Sequence, residues 1–271
     1  MSSLNDKLVI VRGGGDLASG VIYILKKAGF SVLCLETDKP SAIRRTVAYS
    51  EAVYDGETEL EGYKAVLCDN FNSAMHEMHD GNIALLIDQD AKVLNAVTPF
   101  ALVDAILAKK NMGTTKDMAP ITIALGPGFE AGRDVDYVIE TMRGHNLGRI
   151  IESGSALPDT GVPGLIAGHS SDRVIHAEKA GILYNKASIG DIVDEGEVIA
   201  EIKTDEGDIC QVKAGFRGLL RGLIRDGFYV TEGFKIADID AREKERDNCY
   251  TISDKARALG GAVLTVLCVN F

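Results

Sequence analysis

The chain has 271 residues, enough for two domains, with 46% apolar residues and a formal charge of −11. An acidic chain without Lys/Arg clusters is a poor binder of nucleic acid or anionic membrane, and no apolar stretch approaches the length of a membrane span. Five scattered cysteines (34, 68, 210, 249 and 268) with no CxxC pair suit neither a disulfide framework nor a structural zinc site. With no apolar signal run in Met1-Ser-Ser-Leu-Asn-Asp-Lys7, they point to a cytoplasmic protein whose thiols stay reduced.

Leu8-Val-Ile-Val11 reads as a strand, followed at once by Arg12-Gly13-Gly14-Gly15-Asp16. Leu17, Val21, Ile24, Leu25 and Ala28 share one helical face, and Gly29 is a helix stop. A second strand, Ser31-Val-Leu-Cys-Leu35, ends in Glu36. This is the layout of a dinucleotide-binding βαβ unit, in which glycines admit a phosphate to the helix N-terminus. Gly13-x-Gly15-x-x-Ala18 fits the pattern. Asp16 at the helix mouth opposes it, because an acid there caps the helix but repels a phosphate. Both a phosphate site and a capped glycine turn without a ligand stay open.

Arg44 and Arg45 form a local basic pair that either serves an anion near the glycine turn or lies solvated on a helix face. Lys64-Ala-Val-Leu-Cys68 is a third strand. His76 and His79 follow on a short helix, where a surface location is favoured over a metal site because no further His or Cys lies nearby. Asn82-Ile-Ala-Leu-Leu-Ile-Asp88 is a fourth strand. Thr98-Pro99 opens a helix with Thr as N-cap, its buried stripe formed by Phe100, Val103, Ile106 and Leu107. Alternating strands and helices predict a mostly parallel sheet covered on both faces, with ligands beyond the C-terminal strand ends.

Ile121-Thr-Ile-Ala-Leu125 is a strand running into Gly126-Pro-Gly128-Phe. Three Gly/Pro corners, the last at Gly161-Val-Pro-Gly164, flank Asp134, Asp136, Glu140, Arg143, His145 and Arg149. Long loops inside a compact domain are usually functional, so this segment is a candidate site, against a corner-rich β segment whose charges pair among themselves. His145 and Glu140 are the candidate acid/base residues. Arg12, Arg143 and Arg149 suit phosphate oxygens because the planar guanidinium donates paired hydrogen bonds.

Residues 181–202 and 218–239 repeat one pattern at a constant offset, Gly181 matching Gly218, Val193 matching Val230 and Ile202 matching Ile239. A fixed offset implies a duplicated strand-turn-strand unit. The pair resembles the biotinyl/lipoyl carrier fold, whose modified lysine sits at the hairpin between the repeats. Here Glu206 occupies that tip and Lys203 lies too near the strand, so no covalent biotin or lipoate is expected. Glu243 to Asp247 reads as a solvated charged run. Ser253 caps a final helix, interrupted at Gly260-Gly261, and a buried apolar run from Ala262 to Val269 ends the chain.

The expected fold class is therefore α/β plus all-β. Residues 1–112 form a Rossmann-like domain and 113–169 a Gly-rich β/loop segment. Residues 170–242 form a biotinyl/lipoyl-like barrel-sandwich hybrid, and 243–271 pack back on the core.

Several motifs resemble the YqeB-type accessory proteins of the selenium-dependent molybdenum hydroxylase system. They are Arg-Gly-Gly-Gly-Asp-Leu-Ala-Ser-Gly (12–20), Arg-Arg-Thr-Val-Ala (44–48), Gly-Pro-Gly-Phe-x-Ala-Gly (126–132), Val-Ile-Glu-Thr-x-Arg-Gly-His-x-Leu-Gly-Arg (138–149), Asp-Ile-Asp-Ala-Arg (238–242) and Ile-Ser-Asp-Lys-Ala-Arg-Ala-Leu-Gly-Gly (252–261). Asp159-Thr-Gly stands where that pattern has Asn-Thr-Gly. The resemblance implies a maturation role toward a molybdenum hydroxylase or its cofactor-assembly proteins. The expected ligand is a nucleotide or molybdopterin-type molecule held by Arg12, Gly13, Gly14, Gly15, Asp16, Glu36, Arg44, Arg45, Gly126, Gly128, Arg143 and Arg149. No structural metal is expected, and a homo-oligomer is compatible. The alternatives are an NAD(P)-dependent oxidoreductase, with Glu36 on the ribose, and a non-catalytic scaffold whose β sandwich docks a partner.

Overall fold

A computed structural model describes residues 7–162 and 168–271. The leader-free start read at residues 1–6 and the Pro163-Gly164 end of the third corner lie outside the described residues. The chain divides into two compact units. Unit 1 comprises residues 1–40, 48–160 and 252–271, and unit 2 comprises 41–47 and 161–251.

Unit 1 contains, in chain order, β1 (Leu8–Arg12), α1 (Asp16–Lys27), β2 (Ser31–Glu36), α2 (Ala52–Asp55), β3 (Glu57–Leu60), β4 (Tyr63–Leu67), α3 (Phe71–His79), β5 (Ile83–Ile87), β6 (Ala101–Asp104), β7 (Thr122–Leu125), β8 (Tyr137–Ile139) and β9 (Ile150–Ile151). Unit 2 contains β10 (Val174–His176), β11 (Gly181–Asn185), β12 (Ile192–Val193), β13 (Val198–Lys203), β14 (Ile209–Lys213), β15 (Gly218–Leu223), β16 (Tyr229–Val230) and β17 (Lys235–Asp240). Helix α4 (Asp254–Val269) returns to unit 1.

The sheet of unit 1 has nine strands in the order β3-β4-β5-β2-β1-β6-β7-β8-β9. The inner pairs are parallel, while β3 on β4 and β9 on β8 are antiparallel. A two-residue turn, Glu61-Gly62, with both residues at positive φ, makes the first reversal, as such hairpin loops require. Unit 2 has two four-stranded antiparallel sheets, β10-β17-β15-β12 and β14-β13-β11-β16. A mixed nine-stranded sheet and two antiparallel sheets correct the expected fold class, a Rossmann-like domain followed by a biotinyl/lipoyl-like barrel.

One physical reason is β6. Residues 98–107 were expected to be a helix, but Ala101, Leu102, Val103 and Asp104 form a central strand buried on both faces. A strand covered on both sides is a continuous apolar run, which periodicity cannot separate from a buried helix.

The duplication does appear in the strands: β11, β12 and β13 correspond in sequence to β15, β16 and β17. Each sheet takes two strands of one repeat and the short strand of the other. Gly181 and Gly218 open the repeats, and both lie against a carbonyl of the repeat's own last strand. A Cβ would meet Lys203 O at 2.3 Å in the first and Asp240 O at 2.9 Å in the second.

Helix α4 runs unbroken through Gly260-Gly261 rather than being interrupted there. Small residues let it cross α1 closely. A Cβ at Gly20 would meet that of Ala256 at 2.5 Å, and one at Gly260 would meet Gly20 O at 2.7 Å and Ile24 Cγ1 at 2.8 Å. Residue 20 therefore faces 256, and 24 faces 260. The two helices run in the same direction and bring their N-termini together. Ser253 caps α4 as expected, its Oγ accepting from the Ala256 N–H at 3.2 Å.

Candidate functional site

The C-terminal ends of β1 and β8 carry most of the sequence-predicted residues of unit 1. Arg12, the last residue of β1, is 3% exposed and points into protein rather than solvent. Its Nη1 donates to Thr114 Oγ1, and its Nη2 donates to Gln89 O at 2.7 Å and Met112 O at 3.3 Å. The Thr114 hydroxyl donates to Asp104 Oδ2 at 2.6 Å, and Asp104 lies 3.7 Å from Arg12. A guanidinium spent on two loops and a buried carboxylate is a clamp, so Arg12 is removed from the phosphate set. Burial pushes the Asp104 carboxyl above the usual range, against the Thr114 hydroxyl, the Arg12 charge and the Ile106 N–H.

The glycine turn is committed in the same way. Gly13 (φ +95°) brings β1 so near β6 that a Cβ would touch Ala105 O at 3.0 Å. Glu36 Oε2 accepts the Gly14 N–H at 2.8 Å and Oε1 accepts that of Thr37 at 2.8 Å. The acid expected on a ribose therefore holds the donor expected on a phosphate. Gly15 precedes α1 with no atom within 4 Å of its Cβ position, and Asp16 Oδ1 accepts from the Leu17 N–H.

Arg44 and Arg45 belong to unit 2. Arg44 is buried, with Nη2 on Asn248 O at 2.9 Å, and Arg45 Nε donates to Leu223 O at 2.9 Å. Gly126 and Gly128 keep a structural place in unit 1. Cβ atoms there would strike Thr141 Oγ1 at 2.7 Å and Lys110 Cα at 2.6 Å.

Residues 140–149 form the loop from β8 to β9. Glu140 is buried and spends both carboxylate oxygens on backbone, Oε1 on the Met142 N–H at 2.7 Å and Oε2 on the Leu157 N–H at 2.8 Å. It ties the loop together and has no oxygen directed at a reacting group. His145 and Arg149 stand exposed. Arg143 makes a bidentate pair with Asp254, at 2.8 and 3.0 Å, on the first turn of α4.

Beside that pair is a residue that sequence reasoning missed, Lys255. It is partly buried, and burial pushes its ammonium below the usual lysine range. Arg143 acts in the same direction, while Asp16, Glu140 and Asp254 oppose it. Among the described residues no carboxylate lies within ion-pair distance of it. Three of the quoted motifs, 12–20, 138–149 and 252–261, thus meet around one lysine at the mouths of two helices. The available signal was Ser253, which marks the helix start two residues before Lys255. Among the described residues no group of three or more His, Cys, Asp or Glu is placed to hold a metal ion.

No known family profile matches the chain. It is 51% identical over 261 residues to a protein of Escherichia coli (strain K12) named "Uncharacterized protein YqeB", which covers 96% of this chain. The chain spans about half the length of that relative, 47%. The name supports the YqeB part of the resemblance and gives no link to the selenium-dependent hydroxylase system.

Similar solved structures are an aspartoacylase family protein from Mesorhizobium loti and a succinylglutamate desuccinylase/aspartoacylase from Rhodobacter sphaeroides. Each is 13% identical with a TM-score of 0.30 and covers 86% of this chain and 84% of its own. The product-bound ectoine utilization protein from Ruegeria pomeroyi is 12% identical with a TM-score of 0.26, covering 85% of this chain and 56% of its own. The expected accessory role is corrected: the relative's name does not carry it, and Arg12 and Glu36, on which its ligand site was built, are held in protein contacts.

Proposed function

We propose that unit 1 of this YqeB-like chain binds a small anionic ligand where the N-termini of α1 and α4 meet, with Lys255 as the principal cation and Arg143 beside it. The observation that carries the reading is the partly buried Lys255, which has no ion-pair partner among the described residues. A cation held out of water favours a counter-ion, and two helix N-termini supply backbone donors and positive dipole ends for the same charge. The nucleotide or molybdopterin-type ligand expected from the sequence fits this reading through its phosphate alone, with Arg12 and Glu36 left out. Buried Glu140 shapes the loop, and Asp16 and Asp254 limit how much negative charge the site accepts.

The test is calorimetric titration of the full chain with inorganic phosphate, AMP and glyoxylate, beside Lys255→Met. Saturable binding of at least one anion, weakened about tenfold or more in the variant, supports the reading, since a charge-assisted hydrogen bond contributes about 1.5–3 kcal/mol. Equal binding by both proteins, or none by either, contradicts it.

A further inference from the structure

We infer that β14 is a dimerisation edge, on which the β14 of a second copy of this chain pairs antiparallel about a two-fold axis at Gln211.

The observations all lie within unit 2. β14 is the outer strand of one sheet and β10 that of the other. The two border one groove of about 530 Å³, lined by Ile175, His176, Glu178 and all of β14. The opposite borders, β12 and β16, have two residues each, and an edge that short offers little to a neighbour. β14 is five residues long, carries no proline and holds Ile209 64% exposed.

Its backbone groups turn outward at alternate residues. The Thr204 N–H donates to Asp208 O at 2.9 Å, and Ile202 lies opposite Cys210 two residues further along. Bonded pairs alternate in an antiparallel ladder, so Cys210 spends its N–H and C=O on β13 while Ile209 and Gln211 direct theirs away. Beyond the register shift at Val198/Ala200, the Ala214 N–H donates to Glu197 O at 2.9 Å, which leaves Lys213 directed outward as well. Among the described residues no backbone hydrogen bond reaches Ile209, Gln211 or Lys213 from the side away from β13.

Register and charge identify the occupant. A copy centred on Gln211 sets Gln211 against its own counterpart, Ile209 against Lys213 and Cys210 against Val212, each unlike contact made twice. The Lys213 stem then covers Ile209, and no two like charges stand opposite. β14 follows the acids Asp205, Glu206 and Asp208 and ends at Lys213. Antiparallel pairing places the acidic start of one strand beside the basic end of the other, whereas parallel pairing sets like ends together.

The test is sedimentation velocity of the full chain over about 1–100 µM, a span that brackets micromolar dimers. The variants are Gln211→Pro, which removes the outward N–H at the axis, Ile209→Lys, and Ile209→Lys combined with Lys213→Glu. The expected result is a concentration-dependent dimer in the parent. It should be weakened about tenfold or more by Gln211→Pro and by Ile209→Lys, which opposes like charges twice. Adding Lys213→Glu should restore it, because the opposed charges are then unlike. Positions 209 and 213 lie about 13 Å apart along one strand, so that rescue reports contact between copies. Circular dichroism checks that each variant is folded, and the exposed Ile209→Lys carries the test if Gln211→Pro is not. A chain that sediments as a monomer throughout overturns the inference and leaves the groove to an extended segment of another protein. A dimer that neither single variant weakens, or that Lys213→Glu fails to restore, overturns it too.

Discussion

Arg12 and Asp104 stand opposite each other at the ends of adjacent parallel strands, their charged atoms 3.7 Å apart and both residues at most 3% exposed. The pair fixes the loops that follow β5 and β6, because Arg12 also donates to Gln89 O, Met112 O and Thr114. Removing one buried partner leaves the other charge uncompensated. Asp104→Ala is expected to cost about 3–5 kcal/mol in urea unfolding. Thr114→Val, which removes a hydroxyl that both accepts and donates, is expected to cost about 1–3 kcal/mol. A change below half a kcal/mol in Asp104→Ala would remove the clamp from the account.

The pH dependence of stability should carry two opposite signatures. Burial raises the Asp104 carboxyl in the folded chain, so the native state takes up its proton more readily than the unfolded state does. Its contribution is therefore fully present below the unfolded value and is lost as pH rises through the folded one. Burial also pushes Glu61 upward, but Arg257, whose Nη2 donates to both carboxylate oxygens at 2.6 and 2.7 Å, and the Ile252 N–H outweigh it, leaving that carboxyl below its usual range. Its contribution is present above the unfolded value and is lost as pH falls through the folded one. Unfolding free energies across the acid range should show Glu61→Gln with a shallower acid loss than the parent, at a cost of about 1 kcal/mol near neutrality. An unchanged acid limb would contradict the assignment.

The α1–α4 crossing offers a matched pair of glycine substitutions. Gly20→Ala places a methyl within 2.6 Å of the Ala256 backbone and is expected to lower stability by about 1–3 kcal/mol through forced separation of the helices. Gly261→Ala, with nothing within 4 Å, is expected to be neutral or to stabilise by up to about 1 kcal/mol through helix propensity. Because Gly20 sets how close the two helix mouths lie, Gly20→Ala should also weaken anion binding while Gly261→Ala leaves it unchanged. Thermal melts and titration of both variants check this, and equal behaviour of the two would refute it.

The repeats in unit 2 predict equivalent sensitivities at equivalent places. Gly181→Ala and Gly218→Ala each drive a methyl into a carbonyl of the repeat's own last strand and are both expected to cost more than about 2 kcal/mol. Gly196 and Gly233 also correspond. They sit at φ +80° and +77° with nothing within 4 Å, and Ala there should cost only about 1 kcal/mol from backbone strain. A large asymmetry between corresponding positions, read by urea unfolding, would mean that the two copies do not carry load alike.

Much of the framework was legible in the sequence, and the misreadings have physical causes. The β1–α1–β2 unit, the Gly29 stop, the Ser253 cap and the strand duplication follow from local signals that tertiary structure did not override. Residues 98–107 misled because Thr-Pro is a good helix opener and a strand buried on both faces has no alternation to betray it. Asp104 was lost with that segment. Arg44 and Arg45 were read as anion donors, whereas their guanidinium groups donate to the backbone carbonyls of Asn248 and Leu223 within unit 2. Lys255 was hidden by its position after a charged run. Its lack of a partner is a tertiary fact that no local pattern encodes.

The central claim is that Lys255 is the cation of an anion site, and the most direct measurement is a glyoxylate titration of the parent chain and Lys255→Met by calorimetry at matched thermal stability. The account predicts saturable binding by the parent and at least a tenfold loss in the variant, with the unfolding midpoint little changed. Binding of equal strength in both proteins would contradict it.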